Sequence, residues 1–232
     1  KEMLEKQLNY QVTIDNDANV AALAEKWFGQ GKETANLAYV HADVGVGSGL
    51  IINNDIYRGK YGEAGEIGHS TIDVFGKRCS CGNYGCLETF VSIPAIVDKM
   101  QNRLKLLSAD EREPFTESLD DLTFSDILSA VHKDSAVALQ TLNETGQFLG
   151  VGIANLINLY APDLVILGGR VGTADPIILK EVKETVKTRV VGSKGKGVKV
   201  VTSNLESSVV LGAAALVIHQ VFYSFPLQSH RF

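Results

Sequence analysis

Cys79, Cys81 and Cys86 fall within eight residues of one another, and His69 stands ten residues before the first of them. Gly82 and Gly85 interrupt the run and let the backbone turn tightly enough to bring three sulfurs toward one point. Three thiolates and one imidazole make a complete tetrahedral set for a structural zinc ion, and a closed set leaves no position for activating a water. Two other readings fit the same residues: cysteines that act as small buried hydrophobes beside a hydrogen-bonded core histidine, or a disulfide. The disulfide is disfavoured because an odd cysteine is left over and Cys79 and Cys81 are too close for an easy loop. Glutamates 66 and 88 flank the cysteines, so chemistry is concentrated between Gly62 and Glu88.

Two further groups of residues have the types that chemistry needs. Asp15-Asn16-Asp17-Ala18-Asn19 opens an apolar helical pattern, VAALAEKWFG. Asp and Asn are favoured N-caps, and the same geometry lets a carboxylate accept a proton from a hydroxyl while an amide orients it. Asp43-Val-Gly-Val-Gly-Ser-Gly49 reads as a tight strand-to-strand loop, in which Gly45, Gly47 and Gly49 either expose N–H groups to a phosphate or simply turn the chain.

GEIGH, then CSCGNYGCLE, preceded by DNDAN, occur in the order found in one family over residues 15 to 88, and the chain resembles the ROK family of sugar kinases and sugar-responsive repressors. The resemblance implies an RNase H-like α/β fold of the actin and hexokinase superfamily, a mixed sheet flanked by helices with a zinc-binding loop. It implies zinc on His69, Cys79, Cys81 and Cys86, and a sugar faced by Asn16, Asp17, Glu66, His69 and Glu88. In the kinases Asn16 would orient the sugar and Asp17 would be the catalytic base, with ATP and Mg²⁺ as cofactors. The phosphate loop of those kinases typically reads Gly-Thr-Gly-x-Gly-Gly-Gly. Here Val44 takes the threonine position, Asp43 precedes it and Ser48 replaces a glycine, changes that disfavour ATP phosphates by removing a hydroxyl donor and adding a carboxylate. Gly168 and Gly169 match glycines that border the adenosine site, where a third often stands at the position of Arg170. Paired glycines at a strand end also mark ordinary close packing.

Around these groups the chain of 232 residues, 45% hydrophobic, is long enough to bury a core. Its net charge of −5 gives no excess of basic surface for nucleic acid. No run of about 18 apolar residues appears and the start has no signal-peptide pattern, so the chain reads as cytoplasmic. The patterns predict a polar helix over residues 1–9, strands at 10–14, 36–42, 50–53 and 56–58, and helices at 93–107, 123–132 and 136–160. A strand at 163–169, a helix at 176–189, a strand at 198–202 and a helix at 207–222 then alternate as in a mostly parallel sheet. The acidic stretch 109–121 reads as a solvated surface and the lysine-rich 192–197 as a turn.

The sequence therefore predicts a C-terminal ROK domain over residues 1–232, with residues 1–20 as the end of a preceding lobe and with that lobe and any helix-turn-helix outside the chain. The function expected is sugar sensing by a repressor of sugar catabolism, with xylose repressors as the suggested subgroup. Its expected partners are a sugar effector, operator DNA through the absent N-terminal domain, and its own copies in a homodimer or homotetramer. The alternative is an ATP-dependent, glucokinase-like sugar kinase with Asp17 as base.

Overall fold

The computed structural model describes residues 1–108, 112, 114–115, 118–192 and 195–224, without the side chains of residues 196 and 221–224. Parts of the acidic stretch at 109–121 and of the lysine-rich stretch at 192–197 thus lie outside the described residues. The elements in order are α1 (Glu2–Leu8), α2 (Asp17–Trp27), β1 (Leu37–Ala42), β2 (Val46–Ile52), β3 (Asp55–Ile56), α3 (Glu88–Val91), α4 (Ile93–Lys105), α5 (Phe124–Val131), α6 (Ala136–Tyr160), β4 (Leu164–Gly168), α7 (Gly169–Gly172), α8 (Pro176–Arg189), β5 (Lys199–Thr202) and α9 (Ser208–Ser224).

The strands form one sheet in the order β3-β2-β1-β4-β5. β3, β2 and β1 run antiparallel as a meander, while β1, β4 and β5 are parallel and joined by helical crossovers. Alternation along β1 explains how both faces are covered: Leu37 and Tyr39 join the core beneath α2 and α9, whereas Ala38, Val40 and Ala42 join the larger core beneath α4, α5, α6 and α8. Each fully buried Leu, Ile or Val here stabilises the fold by about 1.5–3 kcal/mol relative to exposure. α6 lies against α8 with almost no space between them, since a side chain at Gly150 would put its Cβ 2.6 Å from the Cβ of Thr185.

Helix starts follow their sequence signals. Asn16 accepts from the amide of Ala18, Ser92 from Ala95, Asp175 from Ile177, and Thr123 with Asp126 forms a reciprocal capping box. Two expectations are corrected. Residues 10–14 form no strand: Tyr10 and Ile14 are exposed, and the stretch crosses the surface tied by Glu5, which accepts from the amide of Val12 at 3.0 Å. Alternation alone does not make a strand when no sheet edge is there to pair with it. The segment Asp43 to Gly49 is a loop only as far as Gly45, because β2 begins at Val46 and Gly47 and Gly49 sit in register opposite His41 and Tyr39 of β1.

Candidate functional site: a cysteine-histidine cluster beside the end of the sheet

The turn Ile67–His69 delivers His69, and a compact loop then delivers the cysteines. Its shape is fixed by backbone hydrogen bonds: Cys79 donates to Asn83 at 2.7 Å, Gly82 to Cys79 at 3.0 Å and Gly85 to Lys77 at 2.8 Å. Gly85 adopts a φ of 63°, and a Cβ there would overlap the Asp73 carbonyl. The ligand atoms of His69, Cys79, Cys81 and Cys86 all lie within 4.8 Å of one another. Cys81 Sγ is 3.7 Å from Cys86 Sγ, and Cys79 Sγ is 3.6 Å from His69 Nδ1. Tetrahedral zinc, with bonds near 2.3 Å to sulfur and 2.0–2.1 Å to nitrogen, would space such pairs by roughly 3.5–3.8 Å. The donor set and its spacing therefore fit a metal ion, and the cluster could hold one. The three cysteines are free thiols, and the convergence of an exposed Cys81 with buried Cys79 and Cys86 does not fit three separate small hydrophobes.

Burial, together with the neighbouring thiols, pushes Cys86 up to about 12. Burial acts in the same direction on Cys79, but hydrogen bonds from Cys81, Ser80 and His69 outweigh it and bring that thiol down to about 7. Such a cluster mixes protonated and readily ionised sulfurs, and a cation at its centre would favour the thiolate form of all three.

Of the residues expected to face a sugar, Glu88 touches β2 directly, and the chain next to Asp17 and Glu66 touches it too. Ala18, beside Asp17, packs against Gly47 of β2. Glu88 Oε2 accepts from the amide of Val46 at 2.9 Å, and the carbonyl of Gly65, beside Glu66, accepts from the amide of Ser48 at 2.9 Å. Asn16, Asp17 and Glu66 are exposed and Glu88 is half-buried. Glu66 and Ser48 line a cavity of about 280 Å³ shared with the far end of α6. Asn16 spends its side-chain oxygen on the helix cap, at 2.8 Å from the amide of Ala18. Asp15, which the sequence places in the same polar cluster as that cap, has another role. Its carboxylate in fact takes Arg58 through Nε at 2.9 Å and Nη2 at 2.7 Å, and also accepts from Asn19.

The glycine-rich turn has a carboxylate at its base. Asp43 Oδ2 accepts from the backbone amide of Arg170 at 2.9 Å, and its Oδ1 accepts from Arg170 Nη2 at 2.7 Å and from the amide of Val44 at 2.7 Å. Arg170 Nε bridges both oxygens at 3.0–3.1 Å. These bonds from Arg170, aided by the amide of Val44, bring the Asp43 carboxyl down to about 2 against the opposing effect of burial. Gly45, Gly47 and Gly49 do not form one open cradle. Gly47 and Gly49 are in the ladder with β1, and the amides of Val46 and Ser48 between them are taken by Glu88 and Gly65.

A mixed sheet with helices on both faces, its parallel strands ending beside a glycine turn, defines an α/β domain of the actin and hexokinase type. The ROK glucokinase from Streptomyces griseus, solved with glucose and AMPPNP, superimposes with a TM-score of 0.86 at 28% identity, over 93% of this chain and 71% of that one. A ROK family transcriptional regulator, described as a homolog of the Escherichia coli MLC protein, superimposes with a TM-score of 0.84 at 29% identity, over 95% of this chain and 55% of that one. The ROK family profile matches residues 1–220, and the chain belongs to the ROK family. Among curated relatives, the xylose repressor of Caldicellulosiruptor bescii is 36% identical over 97% of this chain and 56% of its own length. The DNA-binding transcriptional dual regulator NagC of E. coli is 34% identical over 93% of this chain and 52% of its own. The chain spans about half the length of the curated relatives it matches.

Proposed function

We propose that this chain is the sugar-sensing part of a ROK-family transcriptional repressor that controls sugar catabolism, xylose being the first sugar to test. The observation that carries this reading is the ion pair between Asp43 and Arg170. By resemblance, the turn after Asp43 is where the family's kinases hold phosphate, and position 170 is where a glycine often borders their nucleotide. The two departures are each other's partners, so an internal ion pair clasps the turn: its carboxylate stands where a phosphate would need only donors, and the Arg170 guanidinium is already spent on that carboxylate. The names of the curated relatives, a xylose repressor and NagC, support the same reading.

Within it, Asn16, Asp17, Glu66, His69 and Glu88 bind ring hydroxyls, since carboxylates accept from hydroxyls while amides and imidazoles can also donate to them. His69, Cys79, Cys81 and Cys86 hold one structural zinc ion, which fixes the loop that presents Glu66 and Glu88. His69 can serve both purposes if Nδ1, which faces Cys79, takes the metal and Nε2 remains for the sugar. Sugar binding shifts the equilibrium of a homodimer or homotetramer in the cytoplasm, and operator DNA is contacted by sequence outside this acidic chain.

The second reading, a sugar kinase using ATP and Mg²⁺, is favoured by one feature: Asp17 is present and exposed at the start of α2, where a catalytic base would stand. Calorimetry distinguishes the two readings. The sensor binds sugar with no requirement for nucleotide and does not bind Mg-AMPPNP, whereas tight Mg-AMPPNP binding by the full-length protein would favour the kinase.

A further inference from the structure

On the side of the cysteine loop facing α4 lies a cavity of about 290 Å³, bounded by Lys77, Thr89, Phe90, Lys99, Arg103 and Leu106, with Ala95 and Asn102 completing its wall. Three of its lining residues are cationic and none is acidic. The carboxylates that serve these cations are not among the lining residues. Asp98 pairs with Lys77, while a single Glu144 is shared between Arg103 and Lys99. Arg103 is well satisfied, donating to Glu144 at 2.5 Å and to Thr141 at 3.0 Å. Lys99 is not: its ammonium is 3.5 Å from Glu144 and 4.9 Å above the ring of Phe148, with its side chain 22% exposed. Burial holds that ammonium below its ordinary range, Glu144 pulls it back up, and the charges of Arg103 and Lys77 depress it further. Three positive charges thus face one partly desolvated space with two negative charges to balance them.

We propose that this cavity is an anion site for a phosphoryl group, with Lys99 as its principal contact, Lys77 and Arg103 as flanking charges, and Asn102 as an amide donor. Phe90, Ala95 and Leu106 supply an apolar wall, which suits a phosphate carried on an organic group as well as free phosphate. The site joins α4 to the cysteine loop, because Lys77 precedes Cys79 by two residues and Thr89 donates to the carbonyl of Cys86 at 2.8 Å. Occupancy would tie these two elements together.

Titration calorimetry of this chain with inorganic phosphate and, separately, with phenyl phosphate tests the proposal. Binding of either is expected, and it should weaken as salt is raised. Phenyl phosphate binding more tightly would identify an ester as the natural source, and inorganic phosphate binding more tightly the free ion. Lys99→Met, which keeps the packing over Phe148, should weaken binding by about tenfold or more, the loss expected for a hydrogen bond to a charged group. Lys77→Met, at a largely exposed position, should weaken it less and leave the fold intact, and Lys187→Met on α8 should change nothing. No binding of either probe at millimolar concentration, or unaltered binding in both Lys99→Met and Lys77→Met, would overturn the assignment.

Discussion

Asp43 and Arg170 are 127 residues apart in the chain, yet the carboxylate of the first receives both the backbone amide and the guanidinium of the second. The contact clasps the turn between β1 and β2 to the first turn of α7. It also gives Asp43 its perturbed acidity. The folded carboxyl titrates at about 2, below the roughly 3.9 of an unfolded aspartate. Its contribution to stability is therefore complete above about pH 4 and is lost as pH falls toward 2. Arg170→Ala should return the Asp43 carboxyl toward the ordinary aspartate range. Carboxyl-carbon NMR titration reads this directly, and an unchanged Asp43 in that variant would show that Arg170 is not the cause.

Zinc analysis of protein purified without added metal should give near one equivalent, falling sharply in Cys81→Ser. Cys81 is exposed, so the substitution costs little packing and reports on ligation. Full occupancy in that variant would remove Cys81 from the site. Chelation of the wild type should loosen the loop from Gly68 to Glu88 and lower the melting temperature, because metal binding to a folded site adds to folding free energy.

Arg58→Ala removes the two charge-assisted bonds to Asp15, whose side chain is only 9% exposed. The expected cost is about 1–2 kcal/mol in urea denaturation, discounted because Arg58 itself is partly solvated. Sugar affinity should fall as well, since Asp15 fixes the chain that leads to Asn16 and Asp17. A variant with full stability and full affinity would show that the pair holds nothing in place.

Gly150→Val should destabilise by about 1–3 kcal/mol by forcing α6 away from α8. The result is checked by the same denaturation, and a neutral outcome would mean that the two helices slide apart freely.

The readable parts of this chain were those with a local physical signal. α6 begins at Ala136 and ends at Tyr160 as its apolar period indicates, and α8 runs from Pro176 to Arg189 between an Asp cap and the end of its apolar stripe. The cysteine cluster was legible because its ligands are close in sequence as well as in space. What escaped depends on partners far along the chain. Residues 10–14 alternate like a strand but pair with no strand among the described residues. Val46 to Gly49 looks like a loop because it is rich in glycine, and becomes strand because it pairs with β1, with the close approach of α2 requiring a small residue at Gly49. A side chain at Gly49 would meet the Ala18 carbonyl oxygen at 2.3 Å. Asp43 stands out in the sequence as a departure from the kinase pattern, whereas the paired glycines before Arg170 read equally as ordinary close packing. Opposite charge is the one signal that could link Asp43 to Arg170, and it becomes usable only once the fold brings them together.

Assay of the full-length protein for ATP-dependent phosphorylation across pentoses, hexoses and amino sugars, run beside sugar-dependent release from its operator, tests the central claim most directly. With Asp43 and Arg170 closing the phosphate turn, one sugar should release the operator and none should be phosphorylated, because phosphoryl transfer depends on positioning and charge neutralisation at that turn. Rapid ATP-dependent phosphorylation of any one of these sugars would contradict the account.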